Sequence, residues 1–308
     1  MAYEHPEPMV LVGCTASGKS ALALAIAGSI ENVELISADS MQVYRGMDIG
    51  TAKPSLADQD RVQHHLIDVA DAWEDYTVSA HQAAATDALR EIHERGNQAL
   101  IVGGTGLYVQ ALVDSLDIPD QFPDVRAELE LDPDTVAHHR RLVELDPLAA
   151  SRMEPNNRRR VLRALEVCVG SGRPFSTFGP GIDAYQKVPF RQVGIRLPRP
   201  VIDARIDERY EKQLSVGFVA EVEALLNTAD GLSRTARQAL GYKELIDHVE
   251  GRRSLGGAIE LATLRTRRFA RRQERWFRRD PRITWLDADD NPMAVLDDLL
   301  RDWSRVPK

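Results

Sequence analysis

The chain has 308 residues and a mass of 34.4 kDa, which corresponds to about two domains at roughly 150 residues each. Its 43% hydrophobic and 28% charged residues exclude a disordered or collagen-like chain. Two cysteines are too few for a disulfide framework or a four-thiolate zinc site. No apolar stretch approaches the ~20 residues of a membrane helix, and no signal-peptide pattern opens the chain, so we expect a cytoplasmic protein without a membrane partner.

Strands and helices alternate in the first third of the chain. A short apolar run at residues 9–12 predicts a strand, and the Ala/Leu-rich residues 20–27 predict the helix that follows. Residues 33–37 and 98–102 predict two further strands, the second after a helical pattern at 79–94. This alternation is typical of an α/β fold in which a doubly wound parallel sheet has helices on both faces.

The pattern changes between residues 117 and 190, where apolar spacing becomes helical. Residues 193–197 then predict a return to the sheet, and 283–286 predict a last strand after a long helix around 256–279. We therefore predict a core in two parts, 1–116 and 191–308, interrupted by an α-helical insertion at 117–190.

Charge is unevenly distributed along the chain. The net charge of −8 argues against a nucleic-acid partner. Residues 152–173 and 265–282 nevertheless contain six and nine arginines, with net charges of +4 and +7. Such segments attract a polyanion such as RNA, but arginines on helix faces also serve solvation or ion pairing, and both interpretations stay open. Helical spacing places four arginines of the second segment on one face: Arg267, Arg271, Arg275 and Arg278.

The segment between the first predicted strand and helix carries a specific motif. Glycines in such a loop let successive backbone N–H groups point at an anion, and the helix N-terminus adds partial positive charge. Lys19 would neutralise terminal phosphate oxygens and Ser20 would ligate Mg²⁺, so we predict a P-loop NTPase-like core that binds a di- or triphosphate. The motif GxxxxGK[ST] consists here of Gly13, Cys14, Thr15, Ala16, Ser17, Gly18, Lys19 and Ser20.

A candidate catalytic carboxylate follows the second predicted strand. An NTPase usually has a magnesium-binding acid at the end of a neighbouring strand, whereas residues 98–102 run into Gly103 and Gly104. Asp39 lies instead after the strand at 33–37, where a doubly wound sheet places its ligand crevice. A strand-end aspartate is often only a turn or cap residue, but beside an anion-binding loop we interpret Asp39 as a base.

Six ordered segments of the chain form a specific set of sequence blocks. The most specific is the DSMQVYRGMDIGTAKP stretch at residues 39–54. The other blocks, in chain order, are HHLID at 64–68, GGTGLY at 103–108, RVLRALE at 160–166, GYKE at 241–244 and QERWFR at 273–278. Together these blocks resemble those of one enzyme family, the tRNA dimethylallyltransferases, which prenylate adenosine 37 beside the anticodon. The resemblance covers roughly residues 9–280.

The resemblance implies transfer of a dimethylallyl group from dimethylallyl diphosphate to the exocyclic amine of adenosine 37, with release of diphosphate. The P-loop and Mg²⁺ would stabilise the leaving diphosphate, and Thr15 would donate a hydrogen bond to the bridging oxygen. Asp39 would accept the amine proton, because an ionised carboxylate with an unperturbed pKa of about 3.9 is an adequate acceptor. An ATP-binding label would follow from the motif and not from this chemistry.

The resemblance also implies how the chain, expected to be a monomer, would hold an anticodon stem-loop. RNA loops are read by splaying bases out of the stack. The flipped adenosine would meet Asp39, Ser40, Met41 and Gln42, with Thr105 and Arg126 as nearby RNA contacts. Two groups of residues would bind the loop and stem phosphates. Those of the insertion are Arg159, Arg160 and Arg163, and those of a later segment are Arg237, Gly241, Tyr242 and Lys243.

Two other classes of function stay open. A small-molecule P-loop kinase or an adenylate prenyltransferase would share the P-loop and Asp39, but neither requires a basic helical insertion. A non-catalytic RNA-binding module would keep the arginines and contain an inactive P-loop. Prenyl transfer to an anticodon stem-loop and not to AMP would exclude the first class. Loss of prenyl transfer in Asp39→Ala would exclude the second.

Overall fold

The computed structural model describes residues 7–303 and divides into two compact units. The larger unit comprises the residues up to Asp114 together with those from Lys187 onward, and the smaller unit comprises Ser115–Gln186. No helix in the described range is both long enough and apolar enough to cross a membrane. The boundaries at 117 and 190, as limits of separately folding domains, stay a prediction.

One parallel sheet forms the centre of the larger unit. Its strands are β1 (Met9–Val12), β2 (Val33–Ala38), β3 (His64–His65), β4 (Gln98–Gly103), β5 (Arg191–Arg196) and β6 (Thr284–Asp287). They lie in the order β3-β2-β4-β1-β5-β6, and every neighbouring pair is parallel. The predicted α/β class with a parallel sheet is confirmed.

Alternate residues of β1 point into two separate hydrophobic cores. Met9 and Leu11 belong to one core, whereas Val10 and Val12 belong to the other. A strand buried on both faces reads as a continuous apolar run, which explains the sequence of β1.

The helices, in chain order, are α1 (Lys19–Ser29), α2 (Leu56–Arg61), α3 (Val78–Glu94), α4 (Gly106–Val113), α5 (Pro123–Leu131), α6 (Thr135–Leu145), α7 (Pro147–Ser151), α8 (Arg158–Ser171), α9 (Arg199–Ser215), α10 (Phe218–Leu226), α11 (Tyr242–Val249), α12 (Leu255–Phe277) and α13 (Leu296–Trp303).

The smaller unit contains α5 to α8 packed around an aliphatic core of its own. α8 begins where the Asn157 side chain accepts a hydrogen bond from a backbone N–H of the first turn, and it ends at Gly172 with a φ of 69°. The carboxylate of Glu166 is buried and accepts hydrogen bonds from the Phe122 N–H at 2.9 Å and from Arg163 at 2.5 Å. This charge-assisted contact fixes the segment before α5 against α8.

Candidate active site

The predicted phosphate-binding loop joins β1 to α1. Ala16 and Gly18 have φ angles of 63° and 84°, and left-handed residues in such a turn form a concave nest of backbone N–H groups. A side chain would not fit at either motif glycine. A Cβ at Gly13 would lie 2.6 Å from Ser17 Oγ, and one at Gly18 would lie 2.4 Å from Pro292 Cγ. The loop therefore has the backbone geometry of an anion-binding turn, and it lies at the N-terminus of α1.

The sheet register brings this loop and Asp39 to the same level. Val12 pairs with Gly103, and Gly103 pairs with Ala38. Gly13 and Asp39 follow immediately, so the chain leaves β1 and β2 at one row of the sheet. β4 lies between these two strands, and two strand spacings of about 4.8 Å put their ends roughly 10 Å apart.

Lys19 provides a cation that is electrostatically coupled to Asp39. Burial lowers the pKa of Lys19, while the negative charge of Asp39 raises it and so opposes this effect. The charge of Asp39 therefore favours the protonated form of Lys19.

The carboxylate of Asp39 has one oxygen committed to the local turn. Its Oδ1 accepts hydrogen bonds from the backbone N–H groups of Met41 at 2.9 Å and Gln42 at 3.4 Å. The Ser40 N–H donates to Thr105 Oγ1 at 3.2 Å, which places Thr105 beside the same turn. Within residues 7–303, Asp39 Oδ2 makes no hydrogen bond. Asp39 is thus a turn former with one oxygen available to a ligand.

Thr15 is held by two residues to which the sequence assigned no role. Gln273 Oε1 accepts a hydrogen bond from the Thr15 N–H at 2.9 Å, and Gln273 Nε2 donates to the Gly104 carbonyl at 2.8 Å. Arg209 donates to Thr15 Oγ1 at 3.0 Å and to the Gly50 carbonyl at 2.9 Å. Because Arg209 occupies a lone pair of the hydroxyl, the hydroxyl proton points elsewhere and is available to a ligand.

The loop that follows Asp39 is fixed by two charged anchors. Lys53 Nζ lies 2.5 Å from carboxylate oxygens of both Asp48 and Asp68. The carboxylate of Glu221 accepts hydrogen bonds from three successive backbone N–H groups at residues 48–50, at 3.0, 2.7 and 3.2 Å. The loop is therefore preorganised without a ligand.

The P-loop and Asp39 line one cavity of about 1030 Å³. Basic side chains from α9 and α12 contribute to the same wall. Gly13, Cys14 and Ser17 are buried behind the lining. The lining includes Thr15, Ala16, Gly18, Lys19, Ser20, Asp39, Ser40, Met41, Gln42, Thr105, Arg205, Arg209, Tyr242, Arg272 and Gln273.

Ser20 is the residue predicted to hold Mg²⁺, and its position suits one mode of binding. The described residues contain no group of three or more His, Cys, Asp or Glu side chains suited to a metal ion. Mg²⁺ usually keeps several waters and binds through one or two protein groups together with substrate phosphates. Ser20 on the cavity wall, at the N-terminus of α1, fits an ion whose other ligands come from a bound diphosphate.

The arginines predicted to contact RNA in the smaller unit fall into two groups. Arg126 and Arg163 each pair with a glutamate of their own unit, at 2.8 and 2.5 Å. Arg159 and Arg160 are exposed, and their guanidinium groups make no ion pair with any residue that the structure describes. Only the second pair has its full charge available to a phosphate.

The residues predicted to contact RNA in the larger unit already have partners within the protein or are buried. Arg237 pairs with a glutamate at 3.1 Å, and Lys243 donates to a glutamine side chain at 2.9 Å. Gly241 and Tyr242 are buried, and Tyr242 also lines the cavity, so their contact with RNA stays a prediction. The Tyr242 hydroxyl donates to Glu221 at 2.5 Å, and burial raises the pKa of Tyr242, which keeps that proton in place.

Fold and cavity together define a P-loop α/β enzyme in which the P-loop and a carboxylate face one cavity. The chain matches the family model described as IPP transferase over residues 42–280. The tRNA dimethylallyltransferase of Kineococcus radiotolerans is 47% identical over 294 residues, which cover 92% of this chain and 92% of that protein. The corresponding protein of a Nocardioides species is 43% identical over 287 residues, covering 92% and 91%. The chain belongs to the IPP transferase family, and the resemblance seen in its sequence is confirmed.

Solved structures agree with this assignment. The crystal structure of the full-length tRNA isopentenylpyrophosphate transferase of Bacillus halodurans matches with a TM-score of 0.69 and 37% identity, covering 97% of this chain and 98% of that one. A eukaryotic dimethylallyltransferase, captured acting on tRNA, matches with a TM-score of 0.79 and 26% identity, covering 98% of this chain and 81% of that one. The fold is therefore that of known tRNA prenyltransferases.

Proposed function

We propose that the protein transfers the dimethylallyl group of dimethylallyl diphosphate to the exocyclic amine of adenosine 37, in the anticodon arm of a tRNA, and releases diphosphate. The observation that carries this proposal is the single cavity lined by both the P-loop and Asp39. The names of the relatives support tRNA as the acceptor and a dimethylallyl group as the cargo.

The P-loop stabilises the departing diphosphate. An allylic C–O bond ionises readily when negative charge on the leaving oxygen is stabilised, because the carbon fragment is a delocalised cation. The backbone nest, the Lys19 ammonium and Arg209 face that charge, and the Thr15 hydroxyl donates a hydrogen bond to the bridging oxygen. Mg²⁺, held in part by Ser20, supplies additional charge neutralisation when it is bound with the diphosphate.

Asp39 acts on the nucleophile. The exocyclic amine of adenine is weakly nucleophilic because its lone pair is conjugated with the ring. Its protons become acidic as the new C–N bond forms, and Asp39 Oδ2 accepts one of them. Ser40, Met41 and Thr105 surround the Asp39 turn and meet the flipped base. The Gln42 carboxamide, fixed by the Ser37 hydroxyl at 3.0 Å, meets it from the same side.

The polynucleotide is held outside the cavity. Arg159 and Arg160 are exposed and not ion-paired within the described chain, so we assign them to RNA phosphates in preference to Arg126 and Arg163. Arg237 and Lys243 already have protein partners, and phosphate contacts by them would compete with those partners. Replacing Arg159 or Arg160 should weaken RNA binding more than replacing Arg126 or Arg163, which are ion-paired.

The test is prenyl transfer from labelled dimethylallyl diphosphate, with Mg²⁺, to an anticodon stem-loop RNA and to AMP. We expect transfer to the RNA only. Asp39→Asn should lower turnover by about 10²- to 10⁴-fold, the range for loss of a general base, with RNA affinity unchanged within severalfold. Asp230→Asn, which changes an exposed carboxylate, is the matched control and should turn over normally. Equal transfer to AMP would refute RNA as the acceptor. Near-normal turnover of Asp39→Asn would refute the role of Asp39 as the base.

A further inference from the structure

Glu221 lies in the first turn of α10 and holds a backbone turn from a distant part of the chain. Its carboxylate accepts hydrogen bonds from three successive N–H groups, those of Asp48 and Ile49 at 3.0 and 2.7 Å and that of Gly50 at 3.2 Å. The Tyr242 hydroxyl donates to the same carboxylate at 2.5 Å. Successive N–H groups that converge on one anion form a nest, and here the protein itself supplies the anion.

A favourable position within its own helix does not account for these contacts. An acidic side chain in the first turn is stabilised by the helix dipole without any further partner. Glu221 is instead half-buried and binds backbone atoms that lie 171 to 173 residues away in the sequence. Within residues 7–303 it does not line the cavity. Any effect of Glu221 on a bound ligand must therefore pass through the turn that it holds.

Gly50 is the residue of this turn that is fixed most closely. It is buried, and a Cβ at this position would lie 2.3 Å from the Phe218 ring and 2.4 Å from the Tyr242 ring. The two rings therefore confine its α-carbon, while the Glu221 carboxylate holds its N–H. Together these contacts fix the position of Gly50 and with it that of its carbonyl oxygen.

The Gly50 carbonyl connects the turn to the diphosphate side of the cavity. It accepts hydrogen bonds from Arg209 at 2.9 Å and from Gln213 Nε2 at 3.1 Å, and both donors belong to α9. The other terminal nitrogen of Arg209 donates to Thr15 Oγ1 at 3.0 Å. A guanidinium is planar and rigid, so a shift of the carbonyl at one nitrogen changes the direction of the other.

We propose that Glu221 is a positioning residue for prenyl transfer and that it acts through the Gly50 carbonyl and Arg209. This inference rests on the proposed function, in which the Arg209 guanidinium and the Thr15 hydroxyl face the leaving diphosphate. The turn belongs to the segment that meets the adenosine. Glu221 therefore keeps the loop for the accepting base in a fixed position relative to the groups that stabilise the leaving group.

The test measures the affinity for inorganic diphosphate with Mg²⁺ by titration calorimetry. Four proteins are compared, which are the native protein, Glu221→Gln, Arg209→Gln and the double variant. The amide of Glu221→Gln has a single acceptor oxygen and cannot serve all four donors. We expect its affinity to fall by about 10-fold, the effect of weakening one hydrogen bond to a charged group. In the Arg209→Gln background the same change should cost less than about twofold, because the connection is already broken.

The sign of the effect separates this inference from simple electrostatics. Glu221→Gln removes a negative charge, which by itself would strengthen the binding of an anion. A loss of affinity therefore requires the contacts through Gly50 and Arg209. Glu223→Gln removes an exposed carboxylate two residues farther along the same helix and is the matched control. It should bind diphosphate at least as tightly as the native protein.

Prenyl transfer provides a second measurement. In Glu221→Gln the kcat/KM for dimethylallyl diphosphate should fall by about 10- to 10²-fold, the cost of a displacement of up to about 1 Å. Affinity for the stem-loop RNA without diphosphate should stay within severalfold of the native value. If denaturant unfolding shows that Glu221→Gln does not fold, Glu221→Asp takes its place in the same comparison, because it keeps the charge but is one methylene shorter.

Unchanged or tighter diphosphate binding in Glu221→Gln would overturn the proposal. An equal loss of affinity in the native and Arg209→Gln backgrounds would also overturn it, because Glu221 would then not act through Arg209. A loss confined to RNA binding would assign Glu221 to the acceptor loop alone. Failure of the native protein to prenylate the RNA is a different result, because it would reject the proposed function while the diphosphate measurements still decide the role of Glu221.

Discussion

Gln273 connects α12, the P-loop and the segment after β4, so its replacement tests how strictly Thr15 must be held. Its carboxamide accepts from the Thr15 N–H at 2.9 Å and donates to the Gly104 carbonyl at 2.8 Å. The side chain is only 7% exposed. Because one partner is a donor and the other an acceptor, only one orientation of the amide satisfies both.

Gln273→Leu keeps an unbranched Cβ and a similar size but removes both hydrogen bonds. A buried polar group left without a partner costs about 1–3 kcal/mol. With two such groups, one of them only partly buried, we expect the free energy of unfolding to fall by about 2–4 kcal/mol. A displacement of Thr15 by about 1 Å would also lower kcat/KM by roughly 10²-fold. Denaturant unfolding and steady-state prenyl transfer measure the two effects.

Gln273→Glu is the matched variant. Its carboxylate still accepts from the Thr15 N–H but cannot donate to the Gly104 carbonyl, and it adds negative charge where a diphosphate binds. Protonation restores the donor and removes the charge, so the activity of this variant relative to the native enzyme should rise as the pH falls from about 8 to 5. Native stability and native kcat/KM in Gln273→Leu would refute the positioning role.

Two further substitutions test packing and charge elsewhere in the larger unit. Gly106→Ala would place a Cβ 2.2 Å from the Trp276 ring, and this overpacking should lower the free energy of unfolding by about 1–3 kcal/mol. Gly256→Ala, with open space around its Cβ, is the control and should be neutral or stabilising. Equal melting temperatures of the two variants would contradict this prediction. Burial would raise the pKa of Glu34, but hydrogen bonds from three donors lower it from 4.5 to about 2. Its stabilising contribution is therefore complete above about pH 4.5 and is lost as the pH falls toward 2. Glu34→Gln should destabilise the protein at pH 7 by about 1–3 kcal/mol. A difference in unfolding free energy between native protein and variant that stays constant in acid would refute the assignment.

Features that depend on neighbouring residues were predictable from the sequence. The strand at Met9–Val12 is a continuous apolar run, and the P-loop glycines stand where a Cβ has no room. Asp39 was predicted to face the P-loop because strand ends of a parallel sheet share one edge, and the register of β2 with β4 places Ala38, the residue before it, opposite Gly103.

Features that depend on distant residues were not predictable. Arg209 and Gln273 contact Thr15 across 194 and 258 residues of sequence. Arg209 lies in no recognised motif, and Gln273 was marked only by its place in the QERWFR block. Their roles require knowledge of which face α9 and α12 turn toward the P-loop.

The arginines of α12 show the same limit for charge. Helical spacing grouped Arg267 with Arg271 and Arg275, but Arg267 is paired with Asp207 of α9. A sequence shows how many charges a face contains, whereas the acids that neutralise them come from other elements. Arg271 and Arg275, by contrast, are exposed and have no ion pair with any residue in the range 7–303.

The end of β4 bears on the choice between prenyl transfer and phosphoryl transfer. A Cβ at Gly103 would lie 2.5 Å from the Ala38 carbonyl, so an acidic side chain has no room at this strand end, between the P-loop and Asp39. In phosphoryl transfer the nucleophile contacts the terminal phosphate directly, and its base lies close behind. The strand ends that lead into the P-loop and Asp39 are instead two strand spacings apart, roughly 10 Å. That gap has room for an allylic carbon fragment between a bound diphosphate and the accepting amine, which favours transfer of carbon over transfer of phosphate.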